Sequence, residues 1–218
     1  MRRVLRDLLV AGDFAEIARL ARARTRVLGD LVPLTYDRDP QVAWRAVEAM
    51  GAAGAACAEH DPGPVREHLR RLYWLLSEES GGICWRAPEA IAEIAARRPD
   101  LFGDYIPIVV HMILEMADED LEHFRPGLLW AIGRLGDTAA GEMEAVLPAV
   151  AAALDHPDPQ VRGMAVRALQ RTGHADLLAG RPALLADDGP VDLYEAGVLH
   201  RTTVGTLAQR GARRAATS

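Results

Sequence analysis

Lysine and asparagine are absent from this 218-residue chain, and all 25 residues of the lysine-plus-arginine class are arginine. Cysteine is limited to Cys57 and Cys84, too few for a disulfide framework, so we expect a reducing, cytoplasmic location. Aromatic residues make up only 5% of the chain, and no apolar run has the length of a bilayer span. These absences argue against a disulfide-rich secreted domain and against a membrane protein.

Charge is unevenly distributed along the chain. The formal net charge is −6, but the first 26 residues contain seven arginines against Asp7, Asp13 and Glu16. The remainder is therefore acidic and repels phosphate backbones, so nucleic acid is not the expected partner. The basic amino-terminal end suits an acidic partner, although a solvated helix face also explains it.

Two segments of the sequence share one pattern. Asp39-Pro40-Gln41-Val42 and Asp158-Pro159-Gln160-Val161 each place Asp at a helix N-cap and Pro at the first helical position. Apolar residues follow at i, i+4, i+7 and i+8, which lie on one helical face, and an alanine stands where neighbouring helix backbones would approach closely. Two weaker copies lie between them. The four anchor alanines are Ala46, Ala90, Ala131 and Ala165.

The spacing of the anchors is that of a helical hairpin. Each anchor helix has a predicted helix before it, over residues 30–36, 64–77, 105–117 and 142–154, and helices over 2–10 and 13–23 would cap the array. After the last copy we predict a β-hairpin over 191–202 that turns at Glu195-Ala196-Gly197, then a helix over 204–214 and a disordered tail. We therefore expect an all-helical repeat domain over residues 1–180 and a carboxy-terminal cap over 181–218.

The stretch His156-Pro157-Asp158-Pro159-Gln160-Val161-Arg162, followed by Ala165 and Leu169, resembles the HEAT-repeat family, including its short phycobilisome-lyase-like form. The resemblance covers about two-thirds of the chain. It implies a right-handed α-solenoid of HEAT-type helical hairpins whose anchor helices line a concave binding surface.

Projection of the aligned helices indicates which side chains face that surface. The predicted binding residues are Trp44, Glu48, Trp85, Arg86, Leu129 and Arg167, and Gln41 and Gln160 project to the same side. The alternative is that loops or partner helices cover the tryptophans, in which case they belong to the core. No catalytic residue is predicted.

Other groups of residues give weaker indications of a metal site or a reactive thiol. Glu59-His60, Glu67-His68 and Glu122-His123 invite a metal site, but they fall out of register with the anchors, so we expect no metal and no cofactor. Cys84, beside Gly81-Gly82 at a predicted helix start, is interpreted as packing rather than as a reactive thiol, and a chemical role stays open.

The expected function is therefore non-catalytic binding of a protein or peptide of unknown identity by the concave face, with no membrane partner. Two enzyme alternatives stay open. Trp85, Trp130, Arg86 and Arg125 allow comparison with HEAT-like DNA glycosylases, and the family resemblance allows a bilin-lyase-like small-molecule activity.

Overall fold

The computed structural model describes residues 1–76, 86–115 and 122–215, with side chains as far as Arg210. In these ranges the α-helices are α1 (Arg2–Ala11), α2 (Phe14–Ala23), α3 (Arg26–Leu31), α4 (Pro40–Ala58), α5 (Gly63–Trp74), α6 (Ala87–Arg97), α7 (Pro99–Phe102), α8 (Ile106–Glu115), α9 (Arg125–Leu135), α10 (Ala140–Ala152), α11 (Pro159–Arg171), α12 (Pro182–Leu185) and α13 (Val204–Ala215). Strands β1 (Pro190–Glu195) and β2 (Val198–Thr203) pair as a hairpin. Within these ranges no helix has the length and apolar character needed to cross a membrane.

The chain divides into two compact units. One comprises Met1–Tyr105 with Tyr194–Leu199, and the other comprises Ile106–Leu193 with His200–Ser218. The predicted division after residue 180 stays a prediction.

In the first unit, helix α4 is the central element. It packs against α2 and α6 on its flanks and also touches α1, α3 and α5, so most of its residues are buried. Its sequence suits this position because alanine and glycine let neighbouring backbones approach closely. A Cβ added to Gly51 would lie 2.8 Å from the carbonyl oxygen of Glu93, and one added to Gly54 would lie 3.3 Å from Ile94.

In the second unit, helices α9 and α11 form the closest pair. Helix α9 also packs on α8, α10 packs on α8, and α13 packs on α11. The approach of α9 to α11 again depends on a small residue. A Cβ on Gly133 would lie 3.3 Å from the Cα atom of Ala168.

The anchor alanines are buried in these helix pairs. Ala46 and Ala90 are fully buried in α4 and α6, which pack together, and Ala131 and Ala165 are fully buried in α9 and α11, which also pack together. The spacing of small residues therefore marked the helices that stack within each unit.

Local sequence signals are confirmed at several ends of these elements. The side chains of Asp13, Asp39 and Asp158 each accept a hydrogen bond from a backbone N–H in the first turn of the helix that follows. Residues Ala196 and Gly197 adopt positive φ values of 50° and 80° at the hairpin turn, as a two-residue connection requires.

The observed helix bounds differ from the predicted ones where an α-helix continues as a 3₁₀-helix. The segment predicted as a helix over 30–36 consists of the end of α3 followed by a 3₁₀-helix over Val32–Tyr36, and α10 likewise ends in a 3₁₀-turn at Ala153–Asp155. The helix predicted to end at 77 ends at Trp74, and a turn follows at 75–76. The end predicted at 117 lies outside the described residues, as do residues 216–218 of the tail predicted after 214.

Candidate functional site

Four residues on one side of α4 contact the tip of the β-hairpin. Gln41, Trp44, Arg45 and Glu48 follow the i, i+3, i+4, i+7 spacing that places side chains on one helical face. We call them the α4 face. The hairpin tip, Tyr194–Leu199, belongs to the same compact unit.

An aromatic pair forms the centre of this contact. The indole of Trp44 stacks on the ring of Tyr194 with 5.4 Å between ring centroids and 6° between ring planes. The guanidinium carbon of Arg86 lies 4.1 Å from the centroid of the Trp44 ring, a cation–π distance. Trp44 is consequently only 8% exposed, so its predicted position on an open surface is wrong. The hairpin tip and Arg86 cover it, as the alternative interpretation anticipated.

The hydroxyl of Tyr194 makes a directed polar contact beside the stack. It donates a 2.6 Å hydrogen bond to Oε2 of Glu48, whose other oxygen lies 3.6 Å from the guanidinium of Arg97. Burial and the adjacent Glu48 carboxylate raise the pKa of Tyr194 well above its ordinary value. The tyrosine therefore keeps its proton and acts as a donor.

Gln41 binds the main chain of the tip at two points. Its Nε2 donates to the carbonyl oxygen of Gly197 at 2.8 Å, and its Oε1 accepts from the backbone N–H of Leu199 at 2.8 Å. Arg45 adds a 2.9 Å hydrogen bond from Nε to the same Gly197 oxygen. One carboxamide thus satisfies both kinds of main-chain group where the turn passes into β2.

A second guanidinium nitrogen of Arg45 is also occupied. Nη1 donates to the carbonyl oxygens of Leu9 and Val10, at 2.9 and 2.8 Å, in the last turn of α1. A cation at this end of a helix satisfies carbonyl groups that lack an intrahelical donor. These contacts with α1 therefore fix the position of the guanidinium group that binds the hairpin tip.

In the second unit, the equivalent glutamine makes the same pattern of contacts. The Nε2 atom of Gln160 donates to the carbonyl oxygen of Asp192 at 3.0 Å, and its Oε1 accepts from the backbone N–H of Asp192 at 2.8 Å. Nearby, Gly163 leaves room for Val191, whose methyl carbon would lie 2.5 Å from an added Cβ. Both copies of the Asp-Pro-Gln-Val pattern therefore use their glutamine to hold a β-strand.

Helix α6 carries two buried carboxyl groups on the described part of the first unit. Glu89 is only 2% exposed, and its Oε1 lies 3.6 Å from Arg86, while Glu93 lies 3.6 Å from Arg97. Burial raises the pKa of Glu89 to about 7, although the charge of Arg86 opposes the shift. Its Oε2 atom has no hydrogen-bond partner.

Two other predicted surface residues are buried in the second unit. Leu129 has no exposed surface because α8 and α11 both pack on α9, so a projection that assumed an open side of that helix was wrong. Arg167 is nearly buried and donates a 3.1 Å hydrogen bond to the carbonyl oxygen of Trp130, with its guanidinium over that indole. Trp85, Cys84 and Gly81-Gly82 lie outside the described residues.

The residues of the alternative interpretations are engaged elsewhere. Trp130 is buried, and Arg125 pairs with Glu122 at 2.6 Å. Glu59 pairs with Arg22 at 2.7 Å. Among residues 1–76, 86–115 and 122–210, no group of three or more His, Cys, Asp or Glu side chains is placed to hold a metal ion.

Sequence reasoning missed two members of the site. Tyr194 and Arg45 carried no repeat signal, because the partner of each lies far away along the chain. The available signal was the pair Gln41 and Gln160, polar residues at equivalent places in the two Asp-Pro-Gln-Val segments.

Comparisons with known proteins point to a repeat fold. No protein-family model matches the chain. An uncharacterised protein of Archaeoglobus fulgidus is 30% identical over 107 residues, which are 49% of this chain, and the match spans about half (52%) of that relative's length. An archaeal HEAT-like repeat protein from Thermococcus onnurineus is 16% identical, with a TM-score of 0.49, over 100% of this chain and 81% of that one.

A designed armadillo repeat protein superimposes with a TM-score of 0.51 at 18% identity, covering 97% of this chain and 92% of the designed one. At this identity the likeness concerns the fold. It agrees with the paired anchor helices and with the predicted resemblance to HEAT repeats. The chain therefore has an α-solenoid fold of packed helix pairs and carries a small carboxy-terminal hairpin.

Proposed function

We propose that this chain is a non-catalytic scaffold that binds a segment of a protein or peptide through its anchor helices. The observation that carries the proposal is the two-point hydrogen bonding of Gln41 to the main chain of Gly197 and Leu199. The same face supplies Trp44 as an aromatic platform, and Trp44, Glu48 and Arg86 are among the residues predicted from the sequence to bind a partner.

The chemistry of this contact suits polypeptide as a ligand class. A glutamine side chain presents one donor and one acceptor side by side, which matches the N–H and C=O groups along the edge of an extended strand. A glutamine that binds in this way recognises the main chain of the ligand, and neighbouring groups determine which ligand side chains are preferred. The equivalent Gln160 also donates to a main-chain carbonyl and accepts from a main-chain N–H, both of Asp192 in the second unit, which supports a repeated binding element.

The contacts of the charged groups in the first unit support a binding role rather than a catalytic one. Glu48 accepts from the Tyr194 hydroxyl and faces Arg97, and Arg45 donates to three carbonyl oxygens. Each of these groups orients another part of the protein. A segment from a partner would meet the same donors and acceptors that the hairpin tip meets.

A peptide-display selection tests the proposal. Random peptides are selected on the immobilised full chain, and the affinities of the recovered peptides are measured for the Gln41→Ala and Gln160→Ala variants. We expect at least one variant to lose about tenfold in affinity, because a two-point hydrogen-bond contact is lost.

The matched control is Gln209→Ala. That exposed glutamine donates to the carbonyl oxygen of Leu185, so its loss should leave peptide affinity unchanged. Recovery of no specific peptide, or of peptides that bind all three variants equally, would overturn the proposed function.

A further inference from the structure

We infer that the α4 face selects a tyrosine-containing turn, with tyrosine three residues before glycine, and that the chain's own hairpin tip occupies this site in the structure. The inference rests on the proposed function and names its ligand chemistry. The partner class is an exposed protein segment of the form Tyr-x-x-Gly.

The first requirement of such a site is a flat aromatic platform. Trp44 provides it, and Tyr194 lies almost parallel on the indole. Arg86 at 4.1 Å from the Trp44 ring centroid holds the indole in place through a cation–π contact. An aliphatic residue at the Tyr194 position would lose this stacking contact.

The second requirement is a partner for the phenol hydroxyl. Glu48 accepts a 2.6 Å hydrogen bond from the Tyr194 hydroxyl, and Arg97 faces the other oxygen of the same carboxylate. Phenylalanine would keep the stack but would leave this largely buried carboxylate without its donor. A phosphorylated tyrosine would instead bring negative charge against Glu48, so the site selects the unmodified residue.

The third requirement is a fixed distance from the ring to a turn. The carbonyl oxygen held by Gln41 and Arg45 belongs to Gly197, three residues after Tyr194. Gly197 has a φ of 80°, a backbone conformation that glycine adopts without a steric penalty. Ring, hydroxyl and turn carbonyl are therefore recognised together, and all of these contacts between the hairpin tip and the α4 face are non-covalent.

A binding measurement with the hairpin in trans tests this inference. The acceptor is the full chain with Tyr194→Ala, which removes the anchoring ring of the native tip. The probe is a fluorescein-labelled synthetic peptide of residues 190–203, closed by a disulfide between added terminal cysteines. Parallel probes replace its tyrosine with phenylalanine, alanine or phosphotyrosine.

We expect the tyrosine probe to bind this acceptor about tenfold more tightly than the phenylalanine probe, because the bond to Glu48 is charge-assisted. The alanine and phosphotyrosine probes should not bind measurably, and wild-type protein should bind the tyrosine probe more weakly because its own tip competes.

Circular dichroism and the melting temperature check that the acceptor is folded. If Tyr194→Ala does not fold, Tyr194→Phe is the acceptor, since it keeps the ring and removes only the hydroxyl. Equal binding of tyrosine and phenylalanine probes would overturn the tyrosine inference and leave the proposed function standing. Failure of every probe while display-selected peptides still bind would also overturn it, whereas failure of the display selection is failure of the proposed function itself.

Discussion

At the scale of single residues, Glu89 gives the clearest pH-dependent consequence of the structure. Its pKa is raised to about 7 in the folded protein by burial, against 4.5 for the free side chain. Between these values the folded state keeps a proton that the unfolded state has lost, so the free energy of unfolding falls as pH rises from about 4.5 to 7. Above about pH 7 both states are ionised and the loss is complete.

We predict that Glu89→Gln flattens this pH dependence and makes the protein more stable than wild type at pH 8. The gain is at most about 3 kcal/mol, since each pKa unit corresponds to about 1.4 kcal/mol. Urea unfolding between pH 4.5 and 8 measures it. The exposed Glu67 offers a control, and Glu67→Gln should keep the wild-type profile. A Glu89→Gln variant whose profile parallels wild type would contradict the assignment.

Helix caps were predictable from the sequence, whereas the exposure of individual side chains was less so. The aspartates before α2, α4 and α11 cap these helices because capping depends on atoms only a few residues away. Trp44 and Leu129 were expected on an open face and are buried. What covers Trp44 is Tyr194 and Arg86, and helical periodicity carries no information about such distant neighbours.

At the scale of elements, the packing of α4 on α6 depends on a small residue at Gly51. We predict that Gly51→Ala destabilises the protein by about 1–3 kcal/mol, because the new methyl carbon would lie 2.8 Å from the Glu93 carbonyl oxygen, and backbone atoms cannot move aside without separating the helices. The free energy of unfolding from urea titration checks this prediction.

A matched glycine replacement serves as its control. Gly141 in α10 is exposed, and an added Cβ meets nothing within 4 Å, so Gly141→Ala should stabilise the protein by about 0.5 kcal/mol. Equal effects at the two positions would show that the α4–α6 approach does not depend on the size of residue 51.

Helices and the hairpin were largely predictable as elements, because periodicity, caps and turn residues are local signals. The Glu195-Ala196-Gly197 segment predicted the turn, and β1 and β2 begin and end within one residue of expectation. The short 3₁₀-segments after α3 and α10 were not anticipated. They differ from α-helix only in the hydrogen bonds of a last turn, which sequence periodicity does not resolve.

At the scale of the whole molecule, the repeat spacing predicted the α-solenoid fold because each anchor helix must bury an alanine against its neighbour. The packing of the hairpin tip against α4 was not predictable in this way. The contacts of Gln41 with Gly197 and of Glu48 with Tyr194 join residues about 150 positions apart and follow no repeat. The fold was therefore predictable from the sequence, whereas the candidate site depends on long-range contacts that no local pattern predicts.

The central claim is that Gln41 and Gln160, the glutamines of the two Asp-Pro-Gln-Val segments, bind the main chain of a partner polypeptide, and one measurement tests it directly. The chain has no asparagine and four glutamines (Gln41, Gln160, Gln170 and Gln209), so a ¹⁵N correlation spectrum contains only four pairs of side-chain carboxamide signals. Single Gln→Ala variants assign them. On titration with a display-selected peptide, we predict shifts of the Gln41 or Gln160 signals while those of Gln170 and Gln209 stay in place. Binding that leaves both the Gln41 and Gln160 signals unmoved would contradict the account.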